Sequence, residues 1–149
     1  MILKYSEIIP VKTPIRANPS DAGLDIFCAE DIDEILISRN SNKVLRTGLK
    51  FEIPHGYMLM VCNRSSVASK YNLVVGAHIV DSGYNGELFI DLHNIGDADQ
   101  VITRGQKIAQ VVLVPIVPFI PMLVPEDNLY NVPLTISNRK DGAMGSTGI

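Results

Sequence analysis

Apolar and polar residues alternate along much of the chain, which is the pattern of β-strands that bury one face. The clearest run is residues 87–93, in which Leu88, Ile90 and Leu92 fall on one face. Four similar runs are bounded by turn-forming residues: 24–28, 48–53, 57–62 and 73–80. The pattern therefore predicts an all-β fold.

Two local signals add detail to this fold. The sequence indicates one short helix over residues 66–71, with Ser65 or Ser66 as its N-cap. Asn85 and Gly86 stand between two strand-like runs, which predicts a hairpin with a type I′ turn. Such a hairpin would place Asp81 and Tyr84 near its tip.

The most apolar stretch, residues 111–125, contains four prolines. Prolines at this density break a helix repeatedly, so the stretch does not resemble a membrane-spanning helix. We expect an edge strand or an extended connection there and no membrane association.

The charge pattern argues against a nucleic-acid partner. The chain has 149 residues, which favours a single domain, and carries 13 Lys and Arg against 16 Asp and Glu. No run of basic residues could neutralise several phosphates along a duplex.

Cys28 and Cys62 lack the paired spacing of zinc or redox sites, so we expect free thiols. Residues 1–12 lack the apolar core and cleavage site of a signal peptide. Together these features predict a cytoplasmic protein, in the host cytoplasm if the source is viral.

The C-terminal residues 138–149 have too few apolar side chains to pack alone, so we expect a flexible tail unless a ligand orders it. Taken singly, the other polar features have ordinary explanations, because Asp81 suits a turn and Ser65 a helix cap. Arg64, Ser65 and Ser66 together offer a guanidinium and two hydroxyls, which suit an anion.

The order and spacing of five segments change this interpretation. The segments are residues 22–26 (AGLDI), 64–66 (RSS), 76–86 (GAHIVDSGYNG), 105–110 (GQKIAQ) and the tail with its arginine and GSTG. Together they resemble the five motifs of the homotrimeric dUTPase family.

The resemblance implies a jelly-roll-like β-barrel, assembled as a homotrimer whose active sites are shared between subunits, with the tail closing over the site. It implies hydrolysis of dUTP to dUMP and pyrophosphate. It also implies Mg²⁺ held by substrate phosphates and water, with Asp25 in the outer shell and no direct protein ligand.

The resemblance further assigns roles to individual residues. Asp81 would be the general base for the attacking water, and Tyr84 would pack on the deoxyribose. The phosphates would be contacted by Arg64, Ser65, Ser66, Gln110, Arg139, Gly145, Ser146 and Thr147. The pyrimidine would be lined by Gly76, Ala77, His78, Ile79 and Phe89, with Met144 over the base.

Some residues differ from those of the family's motifs, and these differences leave two alternative functions open. His78 replaces a glycine, Met144 an aromatic residue, and Val75 an asparagine. The related dCTP deaminases have Ala-His at residues 77–78 and a glutamate at the position of Asp91, so a deaminase or a combined deaminase and dUTPase is one alternative. A non-catalytic nucleotide-binding regulator is the other. We expect dUTP hydrolysis, with His78 pointing away from the base.

Overall fold

The computed structural model describes residues 1–31 and 33–130. The strands are β1 Lys4–Glu7, β2 Leu24–Phe27, β3 Glu34–Ile37, β4 Asn42–Arg46, β5 Leu49–Glu52, β6 Tyr57–Cys62, β7 Leu73–Val75, β8 Ile79–Asp81, β9 Phe89–Asn94, β10 Gln100–Thr103 and β11 Lys107–Pro115. Within these described residues, one α-helix, α1, spans Ser65–Tyr71, and a 3₁₀ turn spans Glu126–Asn128. The all-β prediction is confirmed.

The chain forms two compact units, Met1–Pro118 and Phe119–Ile149. All the strands and α1 lie in the first unit, and the 3₁₀ turn lies in the second. The single-domain interpretation of residues 1–149 stays a prediction, and the predicted tail lies outside the described residues.

The strands in the described part of the chain form four antiparallel sheets. The two larger ones have the orders β2-β11-β6-β8 and β4-β9-β7, and the two smaller ones are β1-β5 and β3-β10. Alternate side chains of these strands point into one core, as in β9, where Ile90 and Leu92 are buried together with Leu88 just before the strand. Each fully buried leucine or isoleucine contributes about 1.5–3 kcal/mol relative to an exposed one.

The predicted strand over residues 73–80 is two strands in different sheets. β7 pairs with β9, whereas β8 pairs with β6. The chain crosses between the sheets at residues 76–78, where the Gly76 amide donates to the Asp91 carbonyl (2.9 Å) and the Val61 amide donates to the His78 carbonyl (2.7 Å). Alternation persists in each half, so the pattern alone could not locate the crossover.

The predicted Asn-Gly hairpin is wrong. β8 pairs with β6 rather than with β9, and neither Asn85 nor Gly86 has the positive φ that a type I′ turn requires. The turn lies earlier, where the Tyr84 amide donates to the Asp81 carbonyl (3.1 Å). Gly86 is needed for space, because a Cβ there would lie 2.6 Å from Cζ of Tyr84.

The helix begins one residue before the predicted start, and its cap differs. Arg64 occupies the N-cap position with extended backbone, and no side chain caps the helix. Ser65 and Ser66 lie in the first turn, so the predicted serine cap is wrong and these hydroxyls are not used for capping. Asn72, in the left-handed conformation, ends the helix.

The expectation of an edge or connecting segment over residues 111–125 is partly wrong. β11 runs to Pro115 between β2 and β6, so residues 111–114 form part of a central strand. The prolines begin only at the strand's end, and residues 116–125 contain no regular element. No helix within residues 1–31 and 33–130 is long and apolar enough to cross a membrane.

Candidate active site

A polar cavity of about 350 Å³, here called the Arg64 cavity, lies where β2, β11 and the start of α1 meet. Gln110 of β11 pairs directly with Asp25 of β2, so their side chains share one face of the sheet. The lining residues are Ala17, Asp21, Ala22, Gly23, Asp25, Arg64, Ser65 and Gln110.

Asp25 orients the cations of this cavity. Its side chain is largely buried, and its two oxygens accept from Nε of Arg64 (2.7 Å) and Nζ of Lys107 (2.9 Å). No described residue hydrogen-bonds to the terminal nitrogens of Arg64. Asp21 also lines the cavity, so the carboxylates balance the two cations, and an anionic ligand would be recognised by the remaining guanidinium donors of Arg64 rather than by net charge.

Gln110 is held across the cavity wall. Its Nε2 donates to the Asn63 carbonyl (2.8 Å), and the Asn63 side-chain oxygen accepts from the Val75 amide (2.7 Å). A Cβ on Gly23 would lie 2.7 Å from Cδ of Gln110, so only glycine leaves room for this side chain. The side-chain amide of Gln110 is therefore held in one position beside Arg64.

A second cavity of about 230 Å³, here called the Asp81 cavity, lies beside β8 and the start of β9. Asp81 is exposed, and no described residue hydrogen-bonds to its carboxylate, so the group can accept a proton from a bound water. The cavity is lined by Ile79, Val80, Asp81, Tyr84, Glu87, Leu88 and Phe89.

Tyr84 and Glu87 shape this cavity. The Tyr84 hydroxyl donates to the Glu87 carbonyl (2.7 Å), which fixes the ring above the loop. The Glu87 carboxylate accepts from Nη2 of Arg46 (3.0 Å) and the Gly48 amide (2.9 Å), so it is neutralised from within the fold. Asp81 is thus the carboxylate of this cavity that is available to a ligand.

His78 is bound to its own sheet. The His78 Nδ1 donates to the Val61 carbonyl (2.8 Å), beside the main-chain bond between the same two residues. The ring therefore reinforces the pairing of the crossover with β6. Its direction relative to a nucleotide stays a prediction.

The predicted site residues fall into two separate groups. Arg64, Ser65 and Gln110 lie near Cys62 at one end of β6, whereas Asp81 pairs with Met58 near the other end. Four residues of strand at about 3.3 Å each separate the two groups by about 13 Å. Ser66 lies in α1 beside the first group, and Gly76 and Ala77 lie in the crossover; Arg139, Met144, Gly145, Ser146 and Thr147 lie outside the described residues.

The sequence reasoning missed Lys107 and Asn63. Lys107 lies inside the recognised segment 105–110, so its charge was a usable signal. The role of Asn63 depends on main-chain contacts with Gln110 and Val75, which no sequence pattern reveals.

The described residues contain no cluster of three or more His, Cys, Asp or Glu side chains suited to a metal ion. Asp25 nevertheless fits an outer-shell role, because each carboxylate oxygen has two lone pairs and its cation partners occupy one on each. These lone pairs suit hydrogen bonds from water around a Mg²⁺ ion carried by substrate phosphates, and how the metal is held stays a prediction.

Comparison with known proteins identifies the family. A family model described as dUTPase matches residues 10–148. The chain belongs to the dUTPase family. A deoxyuridine 5'-triphosphate nucleotidohydrolase from Anaplasma marginale is 31% identical over 149 residues, covering 99% of this chain and 96% of that protein.

Solved dUTPases confirm the jelly-roll-like fold. A mutant dUTPase of Staphylococcus bacteriophage 80alpha with dUpNHpp superposes with a TM-score of 0.82 at 26% identity, covering 99% of both chains. A mutant dUTPase from phage phi11 of S. aureus, described as showing a structural Mg(II) ion, has a TM-score of 0.77 at 27% identity, covering 85% of this chain and 98% of that one.

Proposed function

We propose that this dUTPase-family chain hydrolyses dUTP to dUMP and pyrophosphate. The observation that carries the proposal is the exposed Asp81 carboxylate, which has no described partner and lies in a cavity with Tyr84. The Arg64 cavity offers a guanidinium, a hydroxyl and an amide group, which are contacts that a triphosphate needs.

Asp81 acts as the general base. It accepts a proton from a water, whose oxygen attacks the α-phosphorus while the bond to the oxygen bridging the α- and β-phosphorus breaks. Pyrophosphate leaves with that bridging oxygen. A positioned base of this kind typically contributes about 10²- to 10⁴-fold to the rate.

Arg64, Ser65, Ser66 and Gln110 contact the phosphates. Charge grows on the phosphate oxygens in the transition state, so these donors stabilise it more than the ground state. The tail adds Arg139, Gly145, Ser146 and Thr147 when it closes, which completes the donor set and excludes water.

When bound, Mg²⁺ would supply positive charge that offsets the charge of the triphosphate. Asp25 would accept hydrogen bonds from water of the metal shell through its remaining lone pairs. Because Asp25 also fixes Nε of Arg64 (2.7 Å), it positions a phosphate donor and the metal's water together.

Tyr84 packs on the deoxyribose and excludes a ribose hydroxyl. The main chain of Gly76, Ala77, His78 and Ile79, together with Phe89, lines the pyrimidine, and Met144 covers it. Backbone amide and carbonyl groups can pair with O4 and N3 of uracil. Cytosine reverses this donor and acceptor pattern, so we expect dUTP to be preferred.

The active site is shared between subunits of a homotrimer. Separation of the two residue groups by about 13 Å along β6 supports this proposal, because a second copy can bring an Asp81 to the Arg64 cavity. Apolar side chains of residues 117–123 also support assembly, since Val117, Phe119, Ile120, Met122 and Leu123 are each at least 80% exposed.

The observations favour this function over the deaminase alternative. Both oxygens of Asp91, which occupies the position of the deaminases' glutamate, already accept hydrogen bonds from Asn42 and His93. The available Asp81 carboxylate likewise favours turnover over a regulator that only binds nucleotide.

The test is to incubate the protein with dUTP, dCTP or dTTP and Mg²⁺ and to separate the products by anion exchange. We expect dUMP and pyrophosphate from dUTP, with dCTP converted at least about tenfold more slowly. Ammonia release from dCTP would instead support the deaminase, and nucleotide binding without turnover would support the regulator.

A further inference from the structure

A polar cluster on the outer face of the β4-β9-β7 sheet has no role in the function above. Asp91 and His93 of β9 lie on one face of that strand, as does Phe89. The Asp91 carboxylate accepts from Nδ2 of Asn42 (2.8 Å) and from Nε2 of His93 (3.0 Å). Val44 lies opposite Asp91, and Asn42 and Val74 lie opposite His93. The charged residue on this face of β4 is Arg46, which lies opposite Phe89 and is bound to Asp31 and Glu87.

The cluster covers Gly76. A Cβ on Gly76 would lie 2.6 Å from Cδ2 of His93 and 2.7 Å from Oδ2 of Asp91, so these side chains occupy the space above the glycine. On its other side the Gly76 amide donates to the Asp91 carbonyl (2.9 Å). Glycine has more backbone freedom than any other residue, and here both sets of contacts restrict it.

Gly76 begins the crossover at residues 76–78, which is anchored at both ends. One anchor is the Asp91 and His93 cluster, and the other is the bond from His78 Nδ1 to the Val61 carbonyl (2.8 Å). Burial raises the pKa of Asp91, but hydrogen bonds from Asn42 and His93 and the His93 charge outweigh it, so the pKa is lowered. Asp91 is therefore an anionic acceptor at neutral pH, suited to holding the His93 ring in place.

We propose that Asp91 and His93 are positioning residues for base recognition: they fix the Gly76 end of the crossover so that its main chain meets the pyrimidine in one arrangement. This inference rests on the proposed function, in which residues 76–79 line the base. Losing the restraint adds an ordering cost whenever the base binds, in the ground state and the transition state alike. Loss of the restraint should therefore raise KM and leave kcat nearly unchanged.

The test compares three variants. His93→Ala removes the ring, and His93→Gln retains an amide donor for Asp91. Val44→Thr is the matched control, because Val44 is an exposed neighbour of Asp91 on the β4 side, away from Gly76. For each we would measure steady-state kinetics with dUTP and dCTP, and amide hydrogen exchange of residues 76–79 without nucleotide.

We expect His93→Ala to raise KM for dUTP about threefold to tenfold, with kcat within about twofold of wild type and a lower preference for dUTP over dCTP. Exchange at residues 76–79 should be faster by a similar factor. His93→Gln should recover most of both effects, and Val44→Thr should show neither.

Unchanged KM and exchange in His93→Ala would overturn the proposal, and so would faster exchange with unchanged KM and preference. If the wild-type protein fails to hydrolyse dUTP, the proposed function is wrong. The exchange measurement then still shows whether His93 restrains Gly76, so the two failures are distinguishable.

Discussion

At the scale of single residues, the chemistry depends on which charged groups are already paired. Asp25, Glu87 and Asp91 each accept hydrogen bonds from donors within the fold, whereas Asp81 has no described partner. Sequence reasoning could name Asp81 from its motif. It could not show that the other carboxylates are occupied, because most of their partners are distant in sequence, such as Asn42, which is 49 residues from Asp91.

Replacing Asp81 with asparagine should abolish hydrolysis and retain nucleotide binding. The amide fills the same space but cannot take the water's proton, so turnover should fall about 10²- to 10⁴-fold. Single-turnover pyrophosphate release and equilibrium binding of dUTP, measured side by side, check this. Turnover near the wild-type rate would remove Asp81 from the mechanism.

Replacing Gly23 with alanine should displace Gln110, since the new Cβ would lie 2.7 Å from Cδ of that side chain. Loss of one phosphate contact should lower kcat/KM about tenfold. Steady-state kinetics with dUTP measure the change, and Ser69→Ala on the exposed side of α1 is the control. Equal kinetics for both variants would show that Gln110 does not contact substrate.

The Cys28 thiol should be unreactive in the folded protein. Burial raises its pKa to about 11, so at pH 8 only about one part in a thousand is thiolate. A thiol reagent at pH 8 should leave Cys28 of a Cys62→Ser variant unmodified until denaturant is added. Rapid reaction in the native state would contradict the buried position.

At the scale of elements, alternation identified β2, β5, β6 and β9, it did not single out β1, β3, β4 or β10, and it failed where the chain changes sheets. The run over residues 57–62 matches β6, whose bounds are Tyr57–Cys62. Residues 73–80 alternate equally well, yet β7 and β8 belong to different sheets. Alternation reports which side chains are buried, and it carries no information about which strand is the neighbour.

Asn85 and Gly86 show the same limitation in a turn. Their sequence suits a type I′ hairpin, but β8 and β9 each find other partners, so tertiary pairing overrides the local preference. The site depends on this difference, because the turn between Asp81 and Tyr84 places both side chains on the Asp81 cavity.

Thr47 links the strands behind that cavity. Thr47 is fully buried. Its hydroxyl donates to the Leu88 carbonyl (2.6 Å) and accepts from the Leu49 amide (3.2 Å). Thr47→Val keeps the shape and leaves both partners unsatisfied, which should cost about 1–3 kcal/mol. Urea unfolding at fixed protein concentration measures this, with exposed Thr13→Val as control. Equal stability of the two variants would contradict the buried role of the hydroxyl.

At the scale of the whole molecule, the proposed active site combines two cavities that lie apart within one chain. The five motifs were recognisable from sequence, but their division into two groups was not, because it follows from the register of β6 with β8 and β11. The cytoplasmic location also stays a prediction. A shared site makes the activity of one chain depend on a residue of another.

Mixing two inactive variants tests this claim most directly. Asp81→Asn lacks the base, and Arg64→Gln lacks a phosphate donor while leaving Asp25 paired with Lys107. Sites built from two subunits become complete when each variant supplies the group the other lacks. Random trimers from an equal mixture, unfolded and refolded together, should therefore regain about one quarter of wild-type activity.

The refolded mixture should be compared with each variant refolded alone and with wild type treated in the same way. Sedimentation should show trimers in every sample. Recovery near one quarter of the wild-type rate is the result we predict. If the mixture forms trimers but is no more active than the separate variants, Asp81 and Arg64 act from the same chain. That result would contradict the shared site.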